Sequence, residues 1–125
     1  MPGLTLDAGA LIAFERNDRR LVTLLARALE HGERFAVPAG VVGQVWRDGR
    51  RQARLARLLA APHVEVESLD DHRARACGQL CGVRGGDDVI DASVVLCARA
   101  RDHRIVTADV DDIRRLAPTA TVIRI

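Results

Sequence analysis

Asp7, Asp91, Asp109 and Asp112 stand at the margins of apolar segments. Asp7 closes Leu4-Thr5-Leu6, Asp91 lies within Val89-Ile90-Asp91-Ala92-Ser93, and Asp109 and Asp112 follow Arg104-Ile105-Val106-Thr107-Ala108. A carboxylate beside a core is costly unless something compensates its charge. Three such cases in 125 residues point to one shared site. A cluster of hard oxygen donors suits Mg²⁺ or Mn²⁺. Mg²⁺ takes only one or two carboxylates directly and keeps several waters, so three or four acids around a cleft fit one or two ions that await phosphate oxygens. Such an ion lowers the pKa of its water and offsets phosphate charge. The competing reading is that the acids cap helices or pair with arginines. Taken singly, Asp88, Asp111 and Asp112 fit capping better; Asp7, Asp91 and Asp109 as a set fit a site better.

The elements that must position these acids alternate along the chain. Residues 4–6 read as a short buried strand and 10–15 as a helical turn. Leu21, Leu24, Leu25, Ala28 and Leu29 recur at helical spacing, and Gly32 ends that helix. A strand at 35–37 stops at Pro38. Helices are expected over 39–47 and 51–61, the second stopped by Pro62. His63-Val64-Glu65-Val66-Glu67 alternates as a strand with one wet face. Asp70 or Asp71 caps a helix that runs to about 83, Gly85-Gly86 breaks the chain, and Asp87 or Asp88 caps a helix over 89–101. A strand at 105–107, a short helix at 110–116 and a strand at 121–125 complete the order. Strands alternating with helices predict an α/β fold, an α/β/α sandwich around a mostly parallel sheet. In such sheets ligands bind beyond the carboxyl ends of the strands, where Asp7 and Asp109 fall. Asp91, in the first turns of a helix, points back to the same edge.

The length suits one domain over residues 1–125, able to bury roughly two thirds of its unfolded surface without staples. No apolar run is long enough for a membrane span, and residues 1–7 lack the features of a signal peptide, so the expected setting is the cytoplasm, with no membrane partner. All 19 basic residues are arginine, which excludes mechanisms that need a lysine. Cys77, Cys81 and Cys97 are odd in number and lack CxxC spacing, so they read as buried thiols rather than a disulfide framework or a zinc site.

The acid-bearing segments resemble a known family. Leu6-Asp7-Ala8-Gly9-Ala10-Leu11-Ile12-Ala13 is similar to the opening of a PIN domain, the ribonuclease fold of VapC-type toxins. Asp91-Ala92-Ser93-Val94-Val95-Leu96-Cys97-Ala98 resembles its third motif, and Val106-Thr107-Ala108-Asp109-Val110-Asp111-Asp112 its fourth. The resemblance spans the chain and implies a PIN-like three-layer sandwich, Mg²⁺- or Mn²⁺-dependent RNA cleavage leaving a 5′-phosphate and a 3′-hydroxyl, a homodimer, and neutralisation by a small antitoxin protein. It implies that Asp7, Asp91 and Asp109 hold metal or its waters, that Thr107 orients a carboxylate or water, and that Asp112 is an accessory acid, with Asp88 beside it. The family's second motif normally offers a glutamate, where Val41-Val42-Gly43-Gln44-Val45-Trp46-Arg47 places Gln44. Glutamine can ligate through its carbonyl but adds no charge and cannot act as a base. Ala8-Gly9-Ala10 also lacks the polar residue often found after the first aspartate.

Arg47, Arg50, Arg54 and Arg57 recur at three- or four-residue steps. If one helix runs through Asp48-Gly49, they form a stripe that guides RNA or docks an acidic antitoxin segment; the plain alternative is a solvated face. Glu15 either flanks the cleft or pairs with Arg16 or Arg19. Trp46 is expected in a core or interface, and His103 in solvent. Other fold-level readings fit less well. A haloacid dehalogenase-like phosphatase needs Asp-x-Asp where this chain has Asp7-Ala8-Gly9, and a receiver domain needs a lysine. A PIN domain that binds without cutting is the remaining alternative, supported by Gln44.

Overall fold

In the computed structural model, which describes residues 2–125, five strands and seven helices follow in sequence. They are β1 (Gly3–Leu6), α1 (Ala8–Glu15), α2 (Arg19–Glu30), β2 (Arg34–Pro38), α3 (Ala39–Val45), α4 (Ala53–Ala60), β3 (Val64–Glu67), α5 (Asp71–Arg84), α6 (Val89–Arg101), β4 (Arg104–Thr107), α7 (Val110–Leu116) and β5 (Val122–Arg124). The strands form one sheet in the order β3-β2-β1-β4-β5, with every pairing parallel rather than mostly so.

That order dictates the layers. Parallel crossovers are right-handed, so the face a helix occupies depends on the direction in which the chain steps across the sheet. From β1 to β2 to β3 the chain steps one way, and α1, α2 and α4 cover one face. From β3 to β4 to β5 it steps the other way, and α5, α6 and α7 cover the opposite face. The three-layer α/β/α sandwich follows. β1 is buried at every position and α6 buries Ala92 to Val95, Cys97 and Ala98, because both lie in the middle of the stack. Cys77, Cys81 and Cys97 are all buried free thiols, as expected.

Three expected elements differ. The helix expected over 39–47 ends at Val45, and the next begins at Ala53. Asp48-Gly49 makes a turn between them: Asp48 Oδ1 accepts from Arg50 N at 3.0 Å, and a Cβ on Gly49 would press on the Trp46 indole. The continuous helix required for an arginine stripe is therefore absent, and Trp46, 37% exposed over this turn, is outside the core, which leaves the interface half of its expectation. Second, β3 has no simple wet face. Glu67 keeps only 12% of its side chain exposed and pairs with Arg73 and Arg101, while Val66 is 42% exposed. As an edge strand, β3 has its glutamate side covered by α5 and α6 through these arginines. Third, His103 is not a solvent residue. It is half-buried over Gly3, with Nδ1 3.1 Å from Thr5 Oγ1, and burial lowers its pKa.

Candidate active site

The sheet's direction of travel reverses between β1 and β4. α1 leaves β1 toward one face and α7 leaves β4 toward the other, which opens a crevice at the carboxyl edge; this is where open α/β sheets bind ligands. Register sets what lines it. Leu6 pairs with Val106, so Asp7 lies opposite Thr107, and Asp7 N donates to Val106 O at 3.3 Å. Asp109 follows two residues later.

Each acid is fixed by the helix it begins. Asp7 is the N-cap of α1 and accepts from Ala10 N at 2.9 Å. It is 8% exposed, and burial raises its pKa. The Thr107 hydroxyl and the Ala10 and Gly9 amides pull in the other direction, and the neighbouring Asp109 adds to the rise. Thr107 is fully buried; its Oγ1 accepts from Asp109 N at 2.8 Å, which leaves its proton for Asp7. Thr107 Oγ1 thus anchors the backbone of Asp109 beside Asp7, whose pKa the hydroxyl lowers.

Asp109, not Asp112, caps α7, through a long 3.4 Å contact from Asp112 N, which corrects the capping expected of Asp112. Asp112 is in the first turn of α7, 3.5 Å from Arg115. Its pKa is raised, first by the hydrogen-bonded Asp109. Asp88 caps α6, accepting from Asp91 N at 2.9 Å, as expected. Asp91, in the first turn of α6, is half-buried and its pKa is pushed up to about 7, by burial first and then by Asp88, Asp112, Asp7 and Asp109. Asp88, Asp91, Asp112 and Arg115 share a cleft of about 150 Å³ beside Asp87; Asp7 and Asp109 lie outside that hollow. Capping and site formation are therefore not alternatives, since Asp7, Asp88 and Asp109 each cap a helix with a carboxylate that also repels its neighbours.

The mutual repulsion is the physical character of the site. Five acids raise one another's or Asp91's proton affinity, and among the described residues Arg115 is the one cation paired with them. A divalent cation would relieve this, and aspartate oxygens at a sheet edge are the donors Mg²⁺ and Mn²⁺ prefer. Among the described residues no three His, Cys, Asp or Glu side chains already converge into a metal-binding group. Mg²⁺ bridges such gaps with its own waters.

Gln44 is exposed near the end of α3. Gly40, one turn earlier on the same helical face, approaches α6 so closely that a Cβ would collide with Ile90 Cδ1, next to Asp91. This approach brings the Gln44 face of α3 toward the acid-bearing end of α6.

The four arginines do not form a unit. Arg47 donates to Gly43 O at 3.2 Å and Trp46 O at 2.7 Å, closing the end of α3. Arg54 lies over the Phe14 ring and donates to Asn17 Oδ1 at 2.8 Å. Arg57 lines an apolar groove, and Arg50 is in the exposed turn.

Sequence reasoning missed Gln52. It is 7% exposed, its Oε1 accepts from Arg47 N at 2.7 Å and Asp48 N at 2.9 Å, and its Nε2 donates to Val45 O at 2.9 Å and Glu15 Oε2 at 3.1 Å. Glu15 therefore holds the α3–α4 turn and neither flanks the cleft nor pairs with Arg16 or Arg19. The Asp48-Gly49 turn was the one sequence signal for this arrangement.

The model of the PIN domain family matches residues 4–117. The chain belongs to the PIN domain family. Solved structures share this PIN domain's fold: a chain of VapBC2 from Rickettsia felis bound to a promoter DNA fragment has a TM-score of 0.73 at 15% identity, covering 100% of this chain and 99% of that one. VapBC-1 from nontypeable Haemophilus influenzae gives 0.70 at 14% identity over 99% and 98%. A toxin–antitoxin complex from Klebsiella pneumoniae gives 0.69 at 16% identity over 97% and 96%. No curated protein matches by sequence. Among its described residues this PIN domain has no helix long and apolar enough to cross a membrane.

Proposed function

We propose that this PIN domain is a Mg²⁺- or Mn²⁺-dependent endoribonuclease and the toxin of a VapBC-type toxin–antitoxin pair, acting in the cytoplasm. The observation that carries the reading is the acid cluster at the sheet's reversal point, with Asp91 pushed up to about 7 by burial and by Asp88, Asp112, Asp7 and Asp109. Such repulsion is relieved when a cation joins it. Asp7, Asp91 and Asp109 would hold the ion, directly or through its waters, with Asp88 and Asp112 adding charge around it. The bound ion supplies a more acidic water and neutralises charge on an RNA phosphate. The protein's part is positioning. Thr107 fixes Asp7 and Asp109 together, the cap of α1 fixes the Asp7 carboxylate, and Gln44 offers an amide carbonyl from the α3 side.

The antitoxin reading is supported by a groove of about 360 Å³ between α2 and α4. Phe14, Val22, Leu25, Leu29 and Leu58 line it, and Arg54 and Arg57 rim it. Apolar walls with a basic rim suit an amphipathic, acidic segment of a partner. The structures with the same fold come from VapBC proteins and a toxin–antitoxin complex. A homodimer belongs to the same reading, and mass in solution tests it.

A second reading, a PIN domain that binds RNA or a partner without efficient cutting, is favoured by the neutral Gln44 in place of an acid. RNA cleavage with and without Mn²⁺ or Mg²⁺ separates the two when wild type, Asp7→Asn and Gln44→Glu are compared. Metal-dependent cutting that Asp7→Asn abolishes is the expected result. Cutting only by Gln44→Glu supports the binding reading, and no cutting by any of the three over a broad RNA panel overturns the nuclease.

A further inference from the structure

Helix α2 has two unlike flanks. Val22, Leu25, Ala26 and Leu29 face the apolar groove. Arg19, Arg20, Thr23, Leu24 and Arg27 line a separate open depression of about 390 Å³. Arg20, Thr23, Leu24 and Arg27 share a face by their three-, four- and seven-residue spacing. Arg16, at the end of α1, extends the cluster toward α1. All four arginines are exposed, and among the described residues none pairs with a carboxylate, whereas Arg73, Arg75, Arg101, Arg104 and Arg115 all do. Of the acids nearest in sequence, Asp18 is occupied as the N-cap of α2, accepting from Leu21 N at 3.1 Å, Glu15 accepts from Gln52 Nε2 at 3.1 Å, and Glu30, three residues after Arg27, forms no ion pair with it.

This separation runs through the whole chain. Residues 1–62 carry ten arginines against six acids, and residues 63–125 carry nine against eleven. The acid site draws Asp91 and Asp109 from the second half, and the unpaired guanidinium groups gather on the first.

We propose that the Arg16–Arg19–Arg20–Arg27 face is a track for the phosphate backbone of single-stranded RNA, holding the strand beside the segment to be cut. The proposal rests on the nuclease reading and assigns a surface to its substrate. Three features favour RNA over a protein. The depression has one apolar side chain, the half-buried Leu24, and so lacks the apolar anchors of a protein interface. Unpaired guanidinium forks in a row match repeated phosphates, and Thr23 adds a hydroxyl for sugar or phosphate. The scale also fits: α1 runs from beside Asp7 to Glu15, about 12 Å at 1.5 Å per residue, and Arg20 to Arg27 adds ~10 Å of helix. A strand of a few nucleotides spans that distance.

The test measures binding separately from cutting. A fluorescein-labelled, twelve-nucleotide single-stranded RNA is titrated by anisotropy, in Mg²⁺ at several salt concentrations, against the full chain carrying Asp7→Asn. The same is done with Arg20→Gln and Arg27→Gln added. Exposed positions leave the fold unchanged, which the melting temperature checks, and Arg99→Gln with Arg114→Gln controls for net charge. The expected result is about tenfold weaker binding for the α2 pair, with a log–log salt slope shallower by about 1.4, at ~0.7 per phosphate contact on single strands. In the cleaving protein the α2 pair raises KM and leaves kcat unchanged. Equal weakening by the control pair, or RNA affinity that does not change, overturns the track. Unchanged RNA binding with weaker binding of a labelled poly-glutamate peptide overturns it in favour of an acidic protein segment. Failure of the wild type to cut RNA would sink the nuclease reading alone, because the anisotropy result does not depend on cleavage.

Discussion

Asp91→Asn is expected to stabilise the metal-free protein at pH 8. In the folded chain Asp91 titrates at about 7, against an ordinary value of 3.8. The gap is about three on the pH scale, and at about 1.4 kcal/mol for each, complete expression of it would cost ~4 kcal/mol above pH 7. Asp91 is half-buried, so water and salt screen part of this, and about 2 kcal/mol is the working figure. The sign follows from proton counting. Between about pH 4 and pH 7 the folded chain keeps a proton that the unfolded chain has released, so stability falls as pH rises through that window and levels off above it. Asparagine removes the charge and keeps the shape. A domain of this length gains about 4 °C in melting temperature per kcal/mol. Melting followed by circular dichroism in EDTA should show the variant about 8 °C above wild type at pH 8 and within 2 °C of it at pH 4. Adding Mn²⁺ should raise the melting temperature of the wild type far more than that of the variant. A variant that melts at or below wild type at pH 8 would refute the repulsion argument, and with it the main support for a cation site.

Thr107→Val removes the hydroxyl shared by Asp7 and the Asp109 amide; we expect a loss of about 1–2 kcal/mol in denaturant melts and a further rise in the pKa of Asp7, read by carboxyl NMR. Gln52→Ala removes four hydrogen bonds from a buried amide. It should cost about 2–3 kcal/mol and expose the α3–α4 turn to trypsin at Arg47, Arg50 and Arg51; unchanged proteolysis would show that other contacts hold the turn. Glu67→Ala leaves Arg73 and Arg101 without their shared partner and should destabilise by about 3 kcal/mol in urea, with Glu65→Ala costing under 1 kcal/mol because that carboxylate is more than half exposed.

The parts of this fold written in local patterns were legible. Strand and helix order, the Gly32 and Gly85 helix ends, and the caps at Asp70 and Asp88 all rest on short-range rules, and the structure agrees with them. The acids were legible as a set because carboxylates beside apolar runs are rare. Cap and site are compatible roles, since a carboxylate has two oxygens and Asp7 and Asp109 use one to begin a helix. What failed was long-range. No local rule ties Gln52 to Glu15, or turns Glu67 inward to meet Arg73 and Arg101, because those partners are set by the sheet order. The arginine spacing misled for a related reason: a three- and four-residue rhythm has meaning only while a helix continues, and Asp48-Gly49 ends it.

The pairing of β1 with β4 sets Leu4 beside Arg104, about 100 residues away along the chain. Asp7 leaves the ribosome about 100 residues before Asp109. No fragment that stops before β4 can bring Asp7 opposite Thr107, whatever part of the first half has already folded. If the site cuts RNA, the chain is harmless to the machinery that makes it until β4 has emerged, and a product cut short before β4 is inert. The need for β4 is thus a safeguard written into the strand order.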